Sequence, residues 1–258
     1  MKSDKFNFRR FSEYFALDLK TCFKKVGLST LLCGLIPVML LIMVSVMNLG
    51  SGDTEIWIIG NEPKDMVTAV ASILFFLIAP ISCYGALTDK KRGSAAIMLP
   101  VSHTEKYASM TIISVIILPL AFCALYLGTD AALYGLFPKR YEDAEAVLIA
   151  GNLGISMKYG FGTSYVTSLM STFFMPWMVS SAGLAGAVLF KKGKGAKTFI
   201  TCSLSFILLV AIISSTHAGE SFLSMDMCSI NLIWVLFQTF CAICCLTYLY
   251  YRTKKIEL

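Results

Sequence analysis

Histidine occurs only twice in the 258 residues, and Asp, Glu, Lys and Arg together make up only 15% of them. With His103 and His217 as the only histidines, and expected on opposite sides of a membrane, a histidine-built metal site or an H-E-x-x-H helix is excluded. A soluble domain carries about a quarter charged residues, so water is not the main solvent of this chain. No stretch is left over that could fold as a separate soluble catalytic domain, so no enzyme activity is expected from the chain itself. A phosphate-binding loop is also missing. The run Gly193-Lys194-Gly195-Ala196-Lys197-Thr198 has Lys191 and Ala196 where G-x-x-x-x-G-K-[ST] requires glycines, and no strand precedes it. Nine cysteines are present, seven of them inside apolar runs, which argues against a disulfide framework. Cys241, Cys244 and Cys245 lack a neighbouring His or acid and read as small helix-face residues. No metal or other cofactor is expected.

What the chain has in abundance is apolar sequence: 57% hydrophobic residues and a mean hydropathy of +0.72. A helix needs about 20 apolar residues to cross the hydrocarbon. Six windows meet this or come close to it, at 28–49, 66–87, 107–127, 163–190, 198–215 and 229–251, and none contains Asp, Glu, Lys, Arg or His. The first is too long for a cleaved signal and is expected to persist as a helix. Counted over alternate connecting segments, 18 Lys and Arg fall on one side and 4 on the other. Basic residues are retained on the cytoplasmic side, so both termini, the loop 88–106, the loop 191–197 and the tail 252–258 are expected there, in the cell membrane. The same rule accounts for the net charge of +6 without nucleic acid.

Before the first window, Phe8, Phe11, Phe15, Leu19, Cys22 and Val26 recur at spacings of three and four, with Arg9, Arg10, Glu13, Lys20 and Lys24 largely between them. Residues 1–27 therefore read as an amphipathic helix, either lying in the inner interface or packed on its own protein. The fold expected is all-α and integral to the membrane: this helix, then a six-span domain over 28–251. Pro37, Pro80, Pro119 and Pro176 fall inside the first four windows and favour kinks. Outside, the stretch 146–155 within the long loop 128–162, and the short loop 216–228, are candidates for interfacial or re-entrant segments. Asp130 is expected at the interface. An intramembrane enzyme would require Asp130, Glu220 or Asp226 to converge on one pocket.

The loop 88–106 is the most informative. A basic turn, Asp89-Lys90-Lys91-Arg92, ends in Gly93; the apolar stretch Ala95 to Leu99 follows, then Pro100, and then Ser102 and Glu105 three residues apart. Ser-x-x-Glu is the spacing of a capping box, expected to start the helix of the third window. The preceding stretch would form a short interfacial helix whose apolar face suits a soluble partner, or a plain helical hairpin with nothing docked. This segment resembles the permease subunits of type-2 ATP-binding-cassette (ABC) exporters, in which a charged turn, a Gly, Leu-like residues and a Pro-x-Ser step recur between the second and third spans. Asp89, Gly93, Leu99, Pro100 and Ser102 match that pattern, with Glu105 where the next span begins; Asp89 replaces a commoner Glu, and His103 an Arg. The resemblance implies that this loop couples the chain to a separate ATP-hydrolysing subunit. It also implies a second permease copy or a related subunit beside it in the lipid, and an apolar or amphiphilic substrate. The alternative is a membrane scaffold or sensor of the same fold that transports nothing.

Overall fold

The computed structural model describes residues 6–51, 61–88, 101–139, 163–215 and 227–257, and every regular element among them is helical. In chain order these are α1 (Phe8–Gly34), α2 (Ile36–Ser51), α3 (Asn61–Tyr84) ending in a 3-10 turn (Gly85–Thr88), α4 (His103–Thr111), a π-helical turn (Ile112–Ile117), α5 (Leu118–Leu136), α6 (Thr163–Leu189), α7 (Lys194–Ser215) and α8 (Met227–Glu257). All six apolar windows fall on helices, but several boundaries differ from those expected. The amphipathic segment does not stop at residue 27; it continues into the first window as α1, and the break comes at Leu35, where the axis bends by 48°. Pro37 explains that place, since it has no N–H to give to the carbonyl of Cys33. The third window is the middle of one continuous helix, His103–Leu136, so the loop expected from residue 128 begins later. Its π turn lies just ahead of Pro119, whose ring would press on the carbonyl of Val115 in a regular helix; a wider turn relieves this. Pro80 and Pro176, by contrast, sit inside α3 and α6 with the helix continuing through them.

Val67–Tyr84, His103–Leu136 and Val235–Lys254 are long and apolar enough to cross a membrane, and the bent pair of α1 and α2 would make a fourth. Met175–Leu189 in α6 is a shorter apolar stretch; the rest of the fourth window, 163–174, and much of the fifth have side chains outside the described residues. The outward faces support a lipid solvent. Met39, Ile42 and Met43 on α2, Val70 and Ile78 on α3, Ile207 and Leu208 on α7, and Phe240 and Ile243 on α8 are all half or more exposed. Contiguous apolar surface of this kind is costly in water and ordinary against acyl chains. The chain is thus consistent with a membrane protein.

Two compact units share the chain: Met1–Val26 with Phe76–Ile117 and Thr163–Leu258, and Gly27–Phe75 with Leu118–Gly162. In the first, α6 packs most extensively on α8 and then on α7, around buried Phe76, Leu77, Ile113, Leu184, Ala187, Val188 and Leu249. Close approach is set by small residues. A Cβ on Gly183 would lie 2.6 Å from the carbonyl oxygen of Leu77, and one on Gly186 would collide with Thr198. In the second unit, Leu133 packs with Val38, Leu41, Val44 and Tyr134. Phe75, Phe122 and Tyr126 form a stacked row with centroids 5.9 and 6.0 Å apart. Thr129 Oγ1 donates to the Gly34 carbonyl at 2.8 Å. Asp130 is fully buried in this unit.

Candidate functional site at the basic helix ends

Of the residues singled out in the loop 88–106, Ser102 and Glu105 are described; Asp89, Gly93, Leu99 and Pro100, with the short helix expected from Ala95, lie outside the described residues. The capping box is present. Ser102 has extended backbone (φ −69°, ψ 155°), its hydroxyl accepts from the Glu105 amide, and Glu105 Oε2 accepts from the Ser102 amide at 3.1 Å. Glu105 does more than cap. It is fully buried, and its carboxylate accepts from Arg10 Nε at 2.8 Å, Arg10 Nη2 at 2.7 Å and the Asn7 amide at 2.8 Å. One carboxylate thus satisfies the first turn of α4 and fastens the start of α1 to it by a two-pronged charged hydrogen bond.

A second carboxylate repeats the arrangement one step along α1. Asp18 Oδ2 accepts from Ser109 Oγ of α4 at 2.6 Å and from Tyr84 Oη, the last residue of α3, at 3.1 Å. Burial pushes the Asp18 carboxyl up from its ordinary range, against the opposing pull of the Ser109 and Tyr84 hydroxyls and the Lys25 charge. Next comes a covalent link. Cys22 of α1 and Cys83 of α3, both buried, are joined as a disulfide with Cα atoms 5.3 Å apart, which the cysteine pattern did not lead one to expect. The inward stripe of α1 is therefore Phe11, Phe15, Asp18, Cys22 and Val26, and its apolar face is turned at Cys22 and Val26 to the protein itself.

The remaining basic segments meet the same place. Two lysines meet the carbonyls at the end of α3. Lys25 Nζ of α1 takes that of Cys83 at 3.0 Å, and Lys194 Nζ, the first residue of α7, takes that of Gly85. The turn before α7 is made by Gly193 in the left-handed region, φ +62°, so the basic connection expected over 191–197 narrows to 190–193. From α8, Thr253 Oγ1 lies 2.9 Å from His103 Nε2, Tyr250 stacks edge-on to His103 and Tyr107, and Tyr107 Oη donates to the Leu246 carbonyl at 3.1 Å. Side chains thus tie α1, α3, α4, α7 and α8 together in the first unit.

Arg10, Asp18, Cys22, Cys83 and the His103–Thr253 pair were not foreseen as a set. Asp18 carried a signal, being an acid in register with the apolar positions 11, 15 and 22; the partners of the others lie 61 to 150 residues away and leave no local trace. Among the described residues no group of three or more His, Cys, Asp or Glu could hold a metal. What the arrangement can do is transmit displacement. No protein-family model, curated protein or solved structure matches this chain.

Proposed function

We propose that the chain is the membrane-spanning permease subunit of an ABC-type exporter. It crosses the cell membrane six times with both termini in the cytoplasm, and it moves an apolar or amphiphilic substrate with ATP hydrolysed by a separate subunit. The segment 88–106 is the coupling loop, and the chain works beside a second copy or a related permease. The observation that carries this reading is the double engagement of Glu105. Because that one buried side chain caps the helix leaving the loop and holds Arg10 and the Asn7 amide of the N-terminal segment, a push on the loop reaches α1 and α4 together. Such an element gives a partner's nucleotide cycle something rigid to move, as a two-state bundle requires.

The test is a mild-detergent pull-down of the tagged full chain, with mass spectrometry of its partners and an ATPase assay of the complex, beside Leu99→Asp. Recovery of a nucleotide-binding subunit that Leu99→Asp loses is the expected result. Absence of any such subunit overturns the exporter reading, and a bound ATPase that never responds to substrate moves it to the scaffold.

A further inference from the structure

The end of the first unit at which α3 stops is neutralised on its inside and left basic on its outside. Two of its acids are turned inward, Asp18 onto Ser109 and Tyr84, and Glu105 onto Arg10, while exposed Glu13 is paired with Arg9. Two lysines are engaged with carbonyls, Lys25 with Cys83 and Lys194 with Gly85, which brings α1 and the turn before α7 to the same helix end. Four more lysines remain on the surface of those two segments: Lys20 and Lys24, one turn apart on α1, and Lys191 and Lys192 on the adjoining turn, all exposed. Among the described residues the ion pairs near this end are Arg9 with Glu13 and Arg10 with Glu105, and neither uses any of the four. On α1 the lysines do not stand on a purely polar face. Leu17 is 58% exposed and Phe23 40% exposed beside them, and the helix then runs directly into apolar sequence.

We propose that Lys20, Lys24, Lys191 and Lys192, flanked by Leu17 and Phe23, form a binding site for the headgroup of an acidic phospholipid. The lysines meet the phosphate and the two apolar side chains meet the glycerol and upper acyl region; the lysine stems reach along apolar surface while their ammonium groups stay in the headgroup layer. An acidic soluble protein would answer the charge but leave Leu17 and Phe23 against a polar surface. Each lysine near an acidic leaflet favours it by about fivefold. The site requires the chain to sit in a bilayer; it does not require that the chain transport anything.

The experiment uses the full chain, reconstituted in vesicles of phosphatidylcholine and phosphatidylglycerol and released in a detergent mild enough to keep bound lipid, with the retained lipids counted by mass spectrometry. Phosphatidylglycerol should be enriched over its share in the vesicles, and the enrichment should fall as salt is raised. It should be lost in the fourfold Lys20→Gln, Lys24→Gln, Lys191→Gln, Lys192→Gln variant and kept when the same lysines become arginine. Wild-type protein with no enrichment, or with enrichment indifferent to salt, overturns the proposal without any variant. So does loss of the bound lipid to soluble glycerol phosphate, which would make this a free-phosphate site, or capture of an acidic protein that acidic lipid does not displace. Failure of the chain to enter vesicles at all removes the membrane reading with it; failure of the exporter reading leaves this result untouched.

Discussion

A fully buried carboxylate in a chain this poor in charge is held by its partners. Glu105 receives four donors, from Arg10 twice and from the amides of Asn7 and Ser102, so its removal takes all four of these hydrogen bonds away while the Ser102 hydroxyl still caps the residue-105 amide. Glu105→Ala should lower the stability of the first unit by about 2–3 kcal/mol, read as a fall in the thermal transition of the purified chain in detergent. Glu105→Gln, which keeps a cap acceptor, should fall between the two; a melt unchanged in both variants would mean that α1 is held without this residue. Gln238 makes the opposite case. It is fully buried in α8, and neither atom of its amide has a hydrogen-bond partner among the described residues. An amide in that position is unfavourable by roughly 1–3 kcal/mol, so Gln238→Leu should raise the thermal transition. A fall would show that the amide has a structural task.

At the scale of elements, stability rests on how closely helices approach. Gly183 lets α6 lie against the backbone of α3, and Gly183→Val would press a side chain onto the carbonyl of Leu77, which cannot yield as a flexible side chain would. A loss of about 1–3 kcal/mol is expected, again by thermal melting, with Ala182→Val as the control one residue away. Cys22 and Cys83, separated by 61 positions, fasten α1 to α3 covalently. In the chain purified without reductant Cys83→Ser should cost about 2–4 kcal/mol, and alkylation of the denatured chain should label the two wild-type cysteines only after reductant. Much of this level was legible in the sequence, because an apolar run twenty residues long has few structures available to it and the capping box is a local pattern. The continuity of α1 through residue 27, the extension of α5 to Leu136 and the burial of Asp130 were not. Window averages find where apolar sequence is dense, not where a helix ends, and a lone acid at a window's edge reads the same whether it faces water or protein.

For the whole molecule, charge distribution is the organising quantity. Side chains join α1, α4, α7 and α8 around the end of α3 at one end of the first unit. If that end faces the cytoplasm, a fluorescent protein fused after Leu258 should fluoresce, and a phosphatase that is active only outside the cell should work when inserted near Glu220 and fail at either terminus. The reverse pattern would invert the topology while leaving the helices as they are. Which surface meets a partner was not readable at any scale from composition, since loops that dock and loops that do not have the same residues available to them.

The lysines that cover the end of α3 also set an order in time. The Gly85 carbonyl meets Lys194, which follows it by 109 residues. A ribosome adding about 5–20 residues per second needs roughly 5–20 s to make that stretch. Through that interval Lys25, made before α3, is already there to meet the Cys83 carbonyl, while the tie to α7 does not yet exist. The tie between the end of α3 and α7 is therefore made only after α6 has been synthesised and α7 begun, whereas the tie to α1 can form as soon as α3 is complete.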